Sequence, residues 1–150
     1  MRQWAQKFDR IAIGDLRTIE IPLARAAIFI VYFWFGALKL AGASPAGPLV
    51  QALAQKIIPF VPFPLFYTLF SLFEMAIGVI FLVRGWERLA ILLLAVHLIT
   101  TAMPLLFLPD ITWQGFLAPT LEGQYIIKNV LIIAAAVAIG SKMMPLKNEK

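Results

Sequence analysis

No cysteine occurs in the 150 residues, and histidine occurs once. Disulfide scaffolds, thiolate metal sites and dithiol redox chemistry are thereby excluded. A lone imidazole makes neither a tight zinc or copper site nor a bis-histidine haem site, so no metal is expected. Charge is scarce as well. Asp, Glu, Lys and Arg make up 14% of the chain, against about 25% in an average soluble domain. No GxGxxG loop and no serine-nucleophile motif appear. What abounds is apolar surface, with 61% hydrophobic residues. A soluble chain of this length leaves about 30% of its unfolded surface exposed and could not hide so much. The composition excludes an ordinary globular enzyme, a disordered chain and a nucleic-acid binder.

The charges are placed as a membrane would demand. Twelve of the 21 lie in residues 1–25 and 142–150, and only nine remain between residues 26 and 141. Four apolar runs each reach the roughly 17–25 residues that a spanning helix needs. They are residues 21–40, 64–83, 88–108 and 124–140. In hydrocarbon every backbone amide must be paired within the segment, so each run is read as a helix. Counting Arg25 and Arg88 with the tail and the turn they adjoin, ten Lys and Arg fall on one side of this arrangement and one, Lys56, on the other. The positive-inside rule places both termini in the cytoplasm. An even number of spans is required for that, and four is even. Ala41-Gly42-Ala43 resembles a signal-peptide cleavage site. The 25-residue polar lead contains three acids, however, and Lys39 sits where the apolar run should end, so the first helix is read as uncleaved. The expected fold is an all-α integral membrane four-helix bundle, with an N-terminal segment 1–20, a transmembrane domain 21–141 and a cytoplasmic tail 142–150.

The connections carry weaker signals. Trp4, Phe8 and Ile11 form one apolar stripe, so residues 1–20 read as an interfacial helix on the inner leaflet or as a solvated tail. In the first outer connection, Ser44 is placed to cap a short amphipathic helix with Pro45 in its first turn. Leu49, Leu53 and Ile57 are its stripe, and Pro59 ends it. Trp113, Phe116 and Tyr125 suit an outer aromatic belt and Trp86 an inner one.

Ionisable residues inside a membrane are costly, and each raises a functional question. Lys39, Glu74, His97 and Lys128 are the four. At about 1.5 Å per residue, Glu74 and His97 lie at nearly the same depth, near mid-membrane. Each span has one polar or small-residue face: Tyr32, Gly36 and Lys39; Ser71, Glu74 and Gly78; His97, Thr100, Thr101 and Pro104; Gln124 and Lys128. Lipid cannot solvate such faces, so they should converge, with Gly36, Gly78 and Ala135 allowing close approach. Glu74 needs Lys128, Lys39 or protonated His97 as a partner, or must hold its own proton. Lys128 is the expected partner, with Lys39 snorkelling to the outer interface. That pair either fixes helix register or serves a ligand. His97 reads equally as a neutral core histidine bonded to Thr101 or to a backbone carbonyl. Pro104 marks a kink.

These pieces together resemble the DoxX-like family of four-helix bacterial membrane proteins, most of all its inner-membrane reactive-chlorine-resistance type. The matching segments are FWFGALKL, FEMAIGVIFLV, HLITTAMPL and LEGQYIIKNVLIIAAA. They carry Gly36 and Lys39, Glu74 and Gly78, Thr100, Thr101 and Pro104, and Gly123, Lys128 and Asn129. Their order and spacing over residues 22–142 carry the resemblance. Asn129 stands where Asp is commoner, Pro104 falls two residues late, and the first outer connection is short. These departures bear on a shared ligand more than on a shared fold. The resemblance implies a multi-pass protein of the bacterial inner membrane. It also implies a link to redox or oxidative-stress metabolism, since some relatives are subunits of a thiosulfate:quinone oxidoreductase.

Three functions follow as expectations. The first is a pocket for a quinone- or lipid-like amphipath, lined by Lys39, Glu74, His97, Thr100, Thr101 and Lys128, acting for a partner oxidoreductase. The second is a small proton-coupled transporter, which at this length would need a homo-oligomer. The third is a non-catalytic structural subunit of a larger membrane complex.

Overall fold

The computed structural model describes the backbone of residues 2–145, and the side chains of all of these except residues 2, 3, 5, 7 and 8. The remainder of the expected tail, residues 146–150, and the Phe8 member of the N-terminal stripe lie outside the described side chains. Ten elements follow in order. They are α1 (Arg2–Leu40), α2 (Gly47–Ile57), α3 (Phe63–Leu82), α4 (Glu87–Ala102), α5 (Pro104–Phe107), α6 (Pro109–Thr112), the strands β1 (Trp113–Gly115) and β2 (Ala118–Pro119), α7 (Leu121–Ile127) and α8 (Val130–Gly140).

Four helices are long and apolar enough to cross a membrane: Asp9–Leu40, Phe63–Leu82, Glu87–Phe107 and Leu121–Gly140. This is the architecture of a multi-pass membrane protein. The outside of the bundle agrees with it. Trp34, Leu65, Leu92, Ile99, Leu131 and Val137 are each more than half exposed, an outward face that hydrocarbon suits and water does not. The inside is a small core that includes Ile28, Ile77, Phe81, Ala90, Leu94 and Ile139.

Three expectations need correction. Residues 2–20 do not form a helix separate from the first span; α1 runs unbroken for 39 residues, about 58 Å at 1.5 Å per residue. Pro22 lies within it, on an exposed face. The carbonyl its missing N–H leaves free therefore faces outward, and the helix continues past it. The second correction concerns the short helix, which starts at Gly47 with Pro48 in its first turn, not at Pro45. Ser44 Oγ instead accepts from the Ala46 N–H at 3.3 Å, making a turn ahead of the helix. Third, the all-α expectation does not account for the connection 109–123. This connection holds α6 and an antiparallel hairpin pairing Trp113 with Pro119, so the bundle carries a small β element that an all-α reading omits.

The last two spans are interrupted as well. Pro104 has no N–H to give to Thr100, whose carbonyl takes the Met103 N–H instead, and α5 begins there with Pro104 buried. At Lys128–Asn129 the backbone stays right-handed helical while the ladder shifts, dividing α7 from α8.

Small residues set the helix spacing. α1 packs chiefly on α3. A Cβ on Gly36 would lie 2.7 Å from Met75 Cγ and 2.8 Å from Ser71 O. One on Gly78 would lie 3.1 Å from Phe33 N and 3.2 Å from Phe29 O. One on Gly123 would lie 2.2 Å from Thr112 O. Backbones that meet at glycines gain dispersion contacts, the main attraction left between helices in lipid. Gly36→Ala and Gly123→Ala should each cost about 1–3 kcal/mol by overpacking. Gly78→Ala should cost less. Gly14→Ala, where nothing lies within 4 Å, should be neutral or stabilising. Thermal unfolding of the four variants in detergent checks the ranking; an unchanged Gly36→Ala would contradict the contact.

Candidate functional site

Among the described residues, four of the five buried polar side chains, Lys39, Ser71, Glu74 and His97, lie between α1, α3 and α4. Lys39, Glu74 and His97 are respectively 8%, 6% and 5% exposed. Lys39 Nζ donates to Glu74 Oε2 at 2.5 Å, and His97 Nε2 lies 2.9 Å from Glu74 Oε1. On the far side of the imidazole, Nδ1 is 3.2 Å from the Tyr32 hydroxyl and 3.2 Å from Thr101 Oγ1. Thr101 Oγ1 also donates to the His97 carbonyl at 2.9 Å, and Thr100 Oγ1 to the same carbonyl at 2.7 Å.

Local geometry explains the assembly. In a helix each Cα–Cβ bond tilts toward the N-terminus. α1 and α3 pack side by side and run in opposite directions, with Gly36 against Ser71 and Met75, and Gly78 against Phe29 and Phe33. Lys39 on α1 and Glu74 on α3 therefore lean toward each other along the shared axis. Ser71, one turn before Glu74, turns its hydroxyl back to the Tyr67 carbonyl at 2.6 Å, which leaves Glu74 to the cation. Aromatic rings wall the cluster. Phe70 stacks on His97 with centroids 5.1 Å apart. Lys39 Nζ sits 5.8 Å from the Phe70 centroid, and Tyr32 meets the imidazole edge-on at 5.0 Å.

The expected Glu74–Lys128 pair does not form. Lys128 is exposed and lies over the Tyr125 ring, 5.0 Å from its centroid. The same tilt gives the reason: Lys128 follows α7, whose N-terminus is at the hairpin end, so its side chain leans toward that end and away from Glu74. Lys39, expected to snorkel, takes the position instead. Of the other expected site residues, Thr101 touches the imidazole, whereas Thr100 bonds only backbone. Gly36 and Gly78 act as spacers. Pro104 and Gly123 belong to the cap above the cluster, where Thr112, fully buried, donates to Leu108 O at 3.0 Å. Asn129 lies at the α7–α8 junction.

Tyr32 and Phe70 touch the cluster but are not among the expected ligand-binding residues. Tyr32 was visible on the same stripe as Gly36 and Lys39; nothing local marked Phe70. Tyr67 Oη, near Gly47 of α2, is the one buried side-chain polar atom among the described residues without a hydrogen-bond partner.

The chemistry of the cluster is constrained by its donors. A carboxylate only accepts, so Lys39 and His97 Nε2 both donate to Glu74. With His97 neutral, the Tyr32 hydroxyl donates to Nδ1; with His97 charged, Nδ1 donates to the same hydroxyl. The imidazole can thus take up a proton without losing a hydrogen bond. In the neutral-histidine state the Lys39 and Glu74 charges cancel. Comparison with protein-family models, curated proteins and solved structures finds no match to the chain.

Removing one partner of a buried pair strands the other charge, at a cost of about 3–5 kcal/mol. Lys39→Met and Glu74→Gln should each lower stability by roughly that amount. The Lys39→Met/Glu74→Gln double variant should recover much of the loss. Lys128→Met should cost little. A denaturation cycle in detergent reads all four, and additive losses in the double variant would contradict the pairing.

Proposed function

We propose that this chain is a DoxX-like protein of the bacterial inner membrane with both termini in the cytoplasm. In this reading it is a binding or accessory subunit that receives the head of a quinone- or lipid-like amphipath for a partner oxidoreductase. The observation that carries the proposal is the Lys39–Glu74–His97 cluster. It is buried among apolar spans, it is charge-balanced with His97 neutral, and both ring nitrogens of His97 have hydrogen-bond partners. A quinone head needs those services: a cationic donor toward its carbonyl and a nearby proton. Thr101 and Tyr32 hold the imidazole ready. The family and the redox setting are supported by the order of motifs Gly36/Lys39, Glu74/Gly78, Thr100/Thr101/Pro104 and Gly123/Lys128/Asn129. Sidedness is supported by the ten-to-one division of basic residues. Lys128 and Thr100 do not reach the cluster, so the ligand contacts are assigned to Lys39, Glu74 and His97.

A second reading is favoured by the hydrogen-bonded series Lys39, Glu74, His97 and Tyr32, which has the form of a proton relay. It makes the chain a small proton-coupled transporter, working as an oligomer.

The test uses the full chain in nanodiscs, titrated with a short-tailed benzoquinone and followed by tryptophan fluorescence. Saturable quenching is expected. The Lys39→Met/Glu74→Gln variant should stay folded and bind at least about tenfold more weakly, the loss of about 1.4 kcal/mol of donor contact. Equal binding by the variant, or quenching that never saturates, would refute the quinone reading. A pH-driven flux in liposomes abolished by Glu74→Gln, without quinone binding, would establish the relay.

A further inference from the structure

The opposite end of the bundle carries a second site. A cavity of about 260 Å³ opens where the α3–α4 turn meets the end of α8. Its charged lining is Arg25, Arg88, Lys142 and Glu87, and its apolar lining includes Ile139 and Met143. Three cations face Glu87 in the cavity and Glu20 beside Lys142, which leaves one positive charge in excess.

Each cation is held in place yet keeps donors to spare. Arg25 Nη1 donates to Phe81 O at 3.3 Å, and Nη2 pairs with Glu87. Arg88 Nη2 donates to Met144 O at 2.5 Å. Lys142 Nζ pairs with Glu20 at 2.6 Å. A guanidinium has five N–H donors and an ammonium three. These bonds use two on Arg25, one on Arg88 and one on Lys142. The fork geometry of two guanidiniums suits the oxygens of a phosphate.

Depth identifies the ligand class. The apolar spans end at Leu82 and Gly140 and begin at Glu87, so the cavity lies at the edge of the hydrocarbon, at the level of lipid headgroups. Beside it, Leu82, Val83 and Leu89 are exposed, an apolar wall on which acyl chains can lie. We propose that this cavity binds the phosphodiester of an anionic phospholipid, held by Arg25, Arg88 and Lys142. A basic pocket between spanning helices at headgroup level is the setting in which such lipids are recognised. The site is separate from the Lys39–Glu74–His97 cluster, and its occupancy does not depend on the function assigned to that cluster.

Native mass spectrometry of the full chain in detergent tests this, with phosphatidylglycerol or phosphatidylcholine added as the probe. Phosphatidylglycerol should bind and phosphatidylcholine should not. Arg88→Gln/Lys142→Gln removes two exposed cations and should weaken phosphatidylglycerol binding about five-fold per charge, roughly 25-fold in all. Arg10→Gln/Arg17→Gln makes the same change of net charge away from the cavity and should leave binding within about two-fold. Inorganic phosphate is the competing arm. Failure to displace the lipid identifies the intact phospholipid as the occupant. Displacement at equal concentration, sensitive to Arg88→Gln/Lys142→Gln, retains the phosphate site but overturns the lipid as its source. Equal binding of the two lipids, or equal losses in the two double variants, would overturn the site itself.

Discussion

A carboxylate in hydrocarbon must be neutralised, and in this protein the Lys39 ammonium does it. Moving two ions out of water costs several kcal/mol each, repaid only by close geometry and further hydrogen bonds. Here the contact is 2.5 Å, and His97 satisfies the second carboxylate oxygen. The pair therefore cannot be separated from the helix packing around it. Gly36 and Gly78 bring α1 against α3, and that approach places the two charges side by side. His97 draws in α4, so a single carboxylate ties three spanning helices together.

The end beyond the cluster follows a related logic. Short helices leave many backbone groups without partners, and lipid offers none. Side chains supply them. Trp113 Nε1 donates to Leu105 O at 3.0 Å, and Thr120 Oγ1 to Ile111 O at 2.8 Å. Thr120 also caps α7 by accepting from the Gly123 N–H. Gly123 fits because the Thr112 carbonyl occupies the space where a Cβ would stand. The result is a cap of α5, α6 and the hairpin, packed on α4 and α7 at this end of the bundle.

The four spans could be read from the sequence because apolar length is a one-dimensional property, and lipid enforces it. The shared depth of Glu74 and His97 also followed from counting rise per residue. What failed was direction. Lys128 was expected to reach inward and Lys39 to snorkel outward, whereas the Cα–Cβ tilt of their helices sends each the other way. That tilt was available from helix polarity alone. Phe70 was not: its place against His97 depends on the angle at which α3 and α4 cross. The hairpin of residues 113–119 escaped notice because its strands hold three and two residues, too short for alternation to show. The unbroken α1 escaped because Pro22 and the charged residues around it look like a boundary until the exposed face they occupy is known.

The three-helix assembly depends on Glu74 being an ionised carboxylate held by Lys39. Infrared difference spectroscopy between the protein and its Glu74→Gln variant, in nanodiscs at neutral pH, addresses this directly. The predicted result is loss of carboxylate stretching bands in the variant, with a matching perturbation when Lys39 is replaced by Met. Loss of a protonated carboxylic-acid carbonyl band in place of the carboxylate bands would show that Glu74 carries its own proton, and would contradict the ion pair on which the assembly depends.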